Sequence, residues 1–437
     1  MRLPNHLASA VSRLTAKNPK EHYWAARDHL TRLLRLRDQP LYAELVWEDQ
    51  LKYLTGSVQP VQGKSREHAA AAAAWLIRAW QSTPDHGVSM GYFPCDPPSP
   101  FSAEENIAVN HGWRPSYPET TGYIIATLIQ YANLYADAIM RERAMAMAHW
   151  EASIQMSSGA VQGGPLVPRE QQTPAVFNTG MVLHGYNAIL QTIPDLELYH
   201  AARGAADFLM ADLGPDGHFK THGPFVAKNR IKTYNCLCAW SLYRFGEIVH
   251  QEEYKQAAIR TAVASMKLQS ANGWFPYNCL NRCEAPLTHT MGYTLQGLLE
   301  TGYAAGREDL IDSARRGMTP LMDAMSPAGF LAGRFQSDWT PASFSSCLTG
   351  TAQLAVVCFR LFQILGDKSF LEAGHRFLNY LKGLQIIHAP NTPMQGALAG
   401  SFPMFLGEYM TAGFPNWATK YLLDALMLQD RLTQGKP

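Results

Sequence analysis

A short turn, in which glycine is followed within two residues by a larger apolar side chain, recurs along this chain and restricts its possible folds more than any other feature. The turn is centred on six glycines, namely Gly87, Gly159, Gly217, Gly273, Gly329 and Gly396. From Gly159 to Gly329 the spacing is 58, 56 and 56 residues, and the flanking intervals are 72 and 67 residues. Such regular spacing indicates a repeat architecture, in which each unit is one supersecondary structure.

Each repeat contains two helices of different character. The first carries few charges, and it is predicted at residues 120–135, 178–191, 234–249, 289–304, 346–365 and 417–429. The second is amphipathic, and it is predicted at residues 67–81, 138–155, 196–212, 252–269, 309–325 and 370–384. A helix that is apolar all round is buried, whereas an amphipathic helix faces solvent. The alternation therefore predicts six helical hairpins with inner and outer helices.

Two arrangements of six hairpins are possible, a closed ring and an open solenoid. The number of repeats, the absence of polar capping repeats and the glycines near the starts of the inner helices favour closure, because glycine permits close approach of helix backbones in a crowded centre. We therefore predict an all-α fold with a single (α/α)6 toroid at residues 61–437. Residues 1–60 lie outside the repeat and predict an N-terminal helical arm, with helices at 23–36 and 41–54.

Charge and composition exclude several partners. The 37 basic and 36 acidic residues leave a net charge of +1, which gives no electrostatic reason to expect nucleic acid or an anionic membrane. No apolar run is long enough to predict a membrane span or a signal peptide. The seven cysteines are scattered through apolar segments, as is typical of reduced thiols. We therefore expect a cytoplasmic protein, and its oligomeric state is left open.

The loops that lead into the inner helices combine aromatic and hydrogen-bonding residues. This combination suits sugars, which have apolar faces and hydroxyl rims, as well as other cyclic ligands. Helix N-termini favour an anionic group, and Arg334 has the geometry to bind a carboxylate. The candidate substrate-binding residues are His111, Trp113, Asn178, Asn235, Arg334, Asp338, Trp339, Glu408 and Trp417. We therefore expect a glycan or another sugar-containing substrate.

Four residues at the predicted helix starts are candidates for catalysis. His289 is the best-placed histidine for acid–base work, and Tyr234, Glu119 and Tyr117 are candidate proton donors or acceptors. Structural roles remain open for several residues. Glu119 could serve only as a favourable charge in the first turn of a helix, and Asn178 could serve as an N-cap. Tyr234 could belong to the core, and Arg334 and Asp338 could form an ion pair that holds one loop together.

Metal and nucleotide motifs receive little support. Cys236 and Cys238 are two residues apart, so on a helix their side chains point to different faces. Cys279 and Cys283, with His289 nearby, have the spacing of two adjacent zinc ligands, but the other cysteine pair does not have it. The sequence has no P-loop and no G-x-G-x-x-G run. We expect no metal and no cofactor.

Motifs in the inner loops carry a resemblance to known proteins. They are YPETTGYI (117–124), FNTG (177–180), NGWF (272–275), PLTHTMGYTLQGLLE (286–300), SCLTGTAQ (346–353) and FPNWATK (414–420). They resemble a bacterial group of α/α-toroid proteins that are encoded among polysaccharide-biosynthesis genes and described loosely as prenyltransferase-like or glycosidase-like. The resemblance covers most of the chain after residue 60 and implies a toroid in a glycan context. It implies no particular reaction, so no catalytic residue is carried over from it.

The wider toroid superfamily widens the choice of reactions. It includes uronate-directed lyases, glucuronyl C5-epimerases, glycoside hydrolases, terpene cyclases and protein prenyltransferases. Our first hypothesis is abstraction of the C5 proton of a uronate by a lyase or an epimerase. The alternatives are a glycoside hydrolase in which Glu119 pairs with Asp338 or Glu408, a non-catalytic glycan-binding protein, and a toroid that binds isoprenoids.

Overall fold

The computed structural model describes residues 40–94, 112–224, 231–390, 392–405 and 407–434. The described residues form thirteen α-helices, which are α1 (Pro40–Thr55), α2 (Ser65–Gln81), α3 (Pro118–Tyr135), α4 (Ala138–Ile154), α5 (Val176–Leu190), α6 (Leu196–Asp212), α7 (Cys236–Ile248), α8 (Glu252–Lys267), α9 (Thr288–Ala305), α10 (Glu308–Asp323), α11 (Leu348–Leu365), α12 (Lys368–Leu384) and α13 (Asn416–Thr433). Five short strands are β1 (Gly91–Phe93), β2 (Gly112–Trp113), β3 (Ser346–Cys347), β4 (Ser401–Phe402) and β5 (Phe414–Pro415). The strands form a sheet of order β2-β1-β5 and a β3-β4 pair, all antiparallel.

Six helices form a closed inner ring. In this ring α3, α5, α7, α9, α11 and α13 each pack against the next, and α13 packs back against α3. The outer helices α4, α6, α8, α10 and α12 each pack against the inner helix that precedes them, and α2 packs against α13. The predicted (α/α)6 toroid is therefore confirmed. Every predicted helix of the ring is present, and its ends lie within four residues of the predicted ones.

The two rings differ in burial as the sequence predicts. Every residue of α9 from Thr288 to Gly302 is buried, whereas α10 buries one face and begins with two acidic residues. Three outer helices have aspartate N-caps, at Asp137, Asp195 and Asp367. No inner helix has a side-chain cap at its N-terminus. In place of a side-chain cap, the first backbone N–H of α5, α9, α11 and α13 donates to a loop carbonyl.

The recurring turn has a conformational basis. Five of its six glycines have φ between 82° and 101°, a region that side chains with a Cβ rarely adopt. In the first repeat the left-handed residue is His86, with φ 70°, which precedes Gly87. The repeat in the sequence is therefore mainly a repeat of backbone geometry.

Helix α1 packs over two loops of the ring. The hydroxyl of Tyr53 donates to the carbonyl of Phe344 at 2.7 Å, and the backbone N–H of Met404 donates to Asp49 at 2.5 Å. The predicted helix at 41–54 is thus confirmed, and the one at 23–36 lies outside the described residues. The division of the chain at residue 60 stays a prediction.

The described structure also bears on two predictions from the sequence, which concern membrane spans and the state of the cysteines. Among the described helices, α11 alone has the length and apolar composition to cross a membrane, and 72% of it is buried within the ring. The expectation that all cysteines are free thiols is wrong for one pair, because Cys279 and Cys283 form a disulfide. Four other described cysteines, Cys236, Cys238, Cys347 and Cys358, are buried thiols.

The close packing of inner helices predicts the effect of a single methyl group. A Cβ on Gly297 of α9 would lie 2.6 Å from the backbone of Cys236 and Leu237 at the start of α7. We therefore expect Gly297→Ala to lower the free energy of unfolding by about 1–3 kcal/mol in urea denaturation. Gly204 of α6 is the control, because its Cβ would meet nothing closer than 3.4 Å. Gly204→Ala should raise stability by up to about 1 kcal/mol, and equal effects of the two changes would contradict the packing argument.

Candidate active site

A cavity opens at the end of the ring where the inner helices begin. It encloses about 820 Å³, counted out to solvent. Its walls come from the starts of α3, α5, α9 and α13, from the short 3-10 helix Thr233–Asn235 before α7, and from four loops. The lining residues are Tyr117, Glu119, Gly163, Gly164, Ala175, Phe177, Asn178, His222, Gly223, Pro224, Tyr234, Leu280, His289, Tyr293, Tyr409 and Trp417.

His289 is a neutral base on the cavity wall. Its Nδ1 lies 2.9 Å from Oε1 of Gln353, an acceptor, so Nδ1 carries the proton. The other ring nitrogen, Nε2, has no partner among the described residues and is the atom left for a ligand. Burial lowers the pKa of His289 to about 4, and the bond to Gln353 opposes this only in part. The imidazole is therefore unprotonated at neutral pH.

Tyrosines surround this imidazole. Tyr293, one helical turn after His289, lies with its ring centroid 4.5 Å from that of the imidazole, and the ring of Tyr409 lies at 5.4 Å. Phe177 contacts both Tyr293 and Tyr234, at 4.6 and 5.4 Å between centroids. Burial, followed by the charge of Glu119, raises the pKa of Tyr234, so its phenol keeps its proton. A proton acceptor and proton donors thus share one cavity.

Glu119 is the carboxylate of the described cavity lining. It is the second residue of α3 and is half-buried. Its negative charge contributes to the raised pKa values of Tyr123, Tyr293 and Tyr421 as well as Tyr234, which places it close to all four phenols. Helix N-termini stabilise such a carboxylate.

An aromatic pair forms the opposite part of the wall. The rings of Tyr117 and Trp417 lie 6.1 Å apart. The indole Nε1 of Trp417 is buried and has no hydrogen-bond partner in the described structure. A buried N–H without a partner is costly, so a ligand oxygen at this position would be favourable.

Buried aromatic and charged groups lie next to the cavity residue Tyr293, whose ring is 6.1 Å from that of Tyr421. Tyr123 and Tyr421 pack at 5.8 Å between centroids, and the ammonium of Lys420 lies 3.8 Å from the centre of the Tyr421 ring. Asp424 pairs with Lys420 at 2.7 Å, and the hydroxyl of Thr127 donates to the same carboxylate at 2.8 Å. Burial lowers the pKa of Lys420 against the opposing effect of Asp424. The charge of Lys420 is therefore compensated by Asp424.

Two asparagines proposed for substrate binding lie at or beside the cavity. Asn178 lines it, but α5 begins at Val176, so Asn178 is its third residue and not its N-cap. Its amide N–H donates to the carbonyl of Gln162 at 2.8 Å, which leaves the amide oxygen for a ligand hydroxyl. Asn235 contacts the cavity residue His222, with its Nδ2 3.0 Å from Nδ1 of that imidazole.

Arg334 does not belong to the cavity lining. Its Nη1 donates to the carbonyl of Ala285 at 2.9 Å, and its Nε lies 3.3 Å from the carboxylate of Glu408. Arg282 approaches the same carboxylate at 3.7 Å. The partner of Arg334 is therefore Glu408 and not Asp338, and both members of the pair are occupied.

Four further candidates lie elsewhere or outside the described residues. Asp338 is exposed and accepts from the backbone N–H of Thr340, while Trp339 donates to the carbonyl of Asn272. Trp113 packs against Trp75. His111 lies outside the described residues. Each role proposed from the sequence stays a prediction, and Asp338 and Trp339 are not brought to the cavity.

Sequence reasoning missed Tyr293, Tyr409 and His222. Tyr293 lies four residues after His289, so the helical period was a signal that could have found it. His222 and Tyr409 come from loops, where no periodicity indicates direction. Among the described residues, no three His, Cys, Asp or Glu side chains form a group that could hold a metal ion.

Comparison with solved structures finds proteins of similar fold. No protein-family model matches the chain, and no curated protein matches it. It is similar in structure to an unsaturated glucuronyl hydrolase specific for heparin, with a TM-score of 0.65 and 16% identity over 85% of this chain and 98% of that one. An unsaturated glucuronyl hydrolase from Bacillus sp. GL1 gives 0.64 and 16% over 85% and 97%. A D-mannose isomerase gives 0.62 and 12% over 85% and 98%. These likenesses concern the fold.

The environment of His289 predicts its titration. Burial holds the imidazole neutral, so its NMR signals should titrate near pH 4 and not near the ordinary 6.5. His289→Gln identifies the signals by removing them. The folded-state pKa lies below the unfolded one, so this residue's contribution to stability is present above pH 6.5 and is lost as pH falls toward 4. A titration near pH 6.5 would show that the imidazole is not buried in the wall.

Proposed function

We propose that this protein is a carbohydrate-active enzyme that moves a proton at a carbon of a bound sugar. The substrate we favour is a uronate-containing glycan or glycan precursor, in which C5–H lies next to the carboxylate. The observation that supports this most is His289, a neutral imidazole whose Nδ1 lies beside Gln353 and which lines the same aromatic cavity as the protonated phenols of Tyr234 and Tyr293.

The reaction follows from these groups. Nε2 of His289 takes the C5 proton, and the electron pair of the broken C–H bond moves into the carboxyl group. The anion then expels the oxygen on C4, which takes a proton from Tyr234, and a C4–C5 double bond forms. In the epimerase outcome the anion instead takes a proton from Tyr234 on the opposite face. Tyr117 and Glu119 are the alternative proton donors.

A glycoside hydrolase with two carboxylates is the second candidate. It draws support from the names of the structural relatives and from Glu119 in the cavity. Such an enzyme needs a second carboxylate about 5–10 Å from the first. Glu408 is already paired with Arg334 and Arg282, and Asp338 is exposed away from the cavity. These contacts favour proton transfer at carbon over hydrolysis.

The alternatives without sugar chemistry receive less support. A toroid that binds isoprenoids needs a nearly apolar cavity, whereas this one contains Glu119, His222 and His289. A non-catalytic glycan-binding protein needs aromatic surfaces without titratable partners, and here His289 and Tyr234 share the cavity with the Tyr117–Trp417 pair.

The first experiment follows absorbance near 232 nm and solvent deuterium uptake at C5 with a panel of uronate-containing glycans. His289→Ala should lower either signal by about 10²-fold or more, since it removes the base, and Tyr234→Phe should lower it by removing the proton donor. Rising absorbance indicates elimination, and deuterium uptake without absorbance indicates epimerisation.

Two exposed residues supply matched controls for these variants. His200 and Tyr303 lie on the outside of the ring, so His200→Ala and Tyr303→Phe should leave the rates unchanged. Release of reducing ends without either signal would contradict the proposal and support the hydrolase.

A further inference from the structure

A uronate or another anionic sugar binds most favourably next to a positively charged side chain. Some of the cations near the cavity already form an ion pair with a carboxylate. Arg334 is paired with Glu408, and Lys420 is paired with Asp424. In the described part of the chain the cavity lining itself contains no lysine or arginine. The partner must therefore come from behind the wall.

Lys232 is a buried cation directly behind this wall. It is 3% exposed and precedes the cavity residue Tyr234 by two positions. Its Nζ donates to the carbonyl oxygens of Cys279 and Leu280, at 3.2 and 3.0 Å, and Leu280 lines the cavity. An ammonium has three N–H groups, and the third meets only the sulfur of Cys279, a weak acceptor at 4.0 Å. In the structure described, no carboxylate pairs with it.

We propose that Lys232 binds the anionic group of the sugar substrate. This inference rests on the proposed function and extends it to the residue that selects a charged sugar. Two classes of sugar carry the anionic oxygens that such an ammonium binds. A uronate carries them in a carboxylate, and a sugar phosphate carries them in a phosphate.

The physical reason is the cost of an uncompensated buried charge. Removing an ammonium from water is unfavourable unless a negative group or several oxygens replace the lost hydration. Two carbonyl oxygens replace part of it, and burial lowers the pKa of Lys232 to about 8. An anion bound in the cavity would supply the missing charge, and the starts of the inner helices, which have no side-chain caps, favour the same sign of ligand.

The chain contains a matched control for this lysine. Lys382 on the outer helix α12 is 2% exposed, donates to the carbonyl of Gly63, and has its pKa lowered to about 8 by burial as well. It has the same chemistry but does not adjoin the cavity. Lys382→Met therefore reports the general effect of removing a buried ammonium.

The test measures binding of D-glucuronate, glucose 1-phosphate and D-glucose by calorimetry to the full chain, to Lys232→Met and to Lys382→Met. We expect Lys232→Met to weaken binding of the preferred anionic sugar by at least about 10-fold and to leave glucose unchanged, while Lys382→Met changes neither. Whichever anion binds more tightly to the unchanged protein identifies the carboxylate or the phosphate as the natural group. In NMR of lysine-labelled protein, that anion should raise the pKa of Lys232, and glucose should not.

Two results would overturn the inference in different ways. Unchanged affinity ratios in Lys232→Met, with turnover of uronates by the unchanged protein, would remove the role of Lys232 and leave the proposed function standing. Failure of the unchanged protein to bind any of the three sugars would overturn both.

Discussion

The contact between the first and last inner helices is the constraint on which the rest of the structure depends. Thr127 of α3 donates to Asp424 of α13, and the amide of Asn416 donates to the hydroxyl of Thr120 at 2.7 Å. The ammonium of Lys420 lies over the ring of Tyr123 across the same junction. These bonds join segments that are about three hundred residues apart, and they turn a row of hairpins into a closed ring.

Closure also explains where the chemistry lies. Because every inner helix runs in the same direction, all six begin at one end of the ring, and none has a side-chain cap there. Residues from distant repeats, such as Glu119, His289 and Trp417, become neighbours only through this arrangement. Burial of Tyr234, His289 and Tyr293 in the same wall places their polar groups in a medium of lower polarity than water.

Much of the fold could be predicted from the sequence, because the recurring glycine turn reports backbone geometry and the two helix types report burial. The site could be predicted in part. His289, Tyr234, Glu119, Tyr117, Asn178 and Trp417 were found because they lie at helix starts, which the repeat locates. The partner of Arg334 could not be found, since Glu408 belongs to a loop seventy-four residues away and no local pattern indicates such a contact. Lys232 was overlooked for a similar reason, because its meaning depends on the absence of a carboxylate nearby.

The proposed function requires that the cavity at the end of the ring where the inner helices begin holds a sugar against the imidazole of His289. The most direct measurement is a crystal structure of the protein soaked with D-glucuronate. We expect the sugar in the cavity, with an atom at or next to C5 close to Nε2 of His289 and an oxygen within hydrogen-bond distance of the Trp417 indole. A sugar bound outside the ring, or one in the cavity that leaves His289 without contact, would contradict the account.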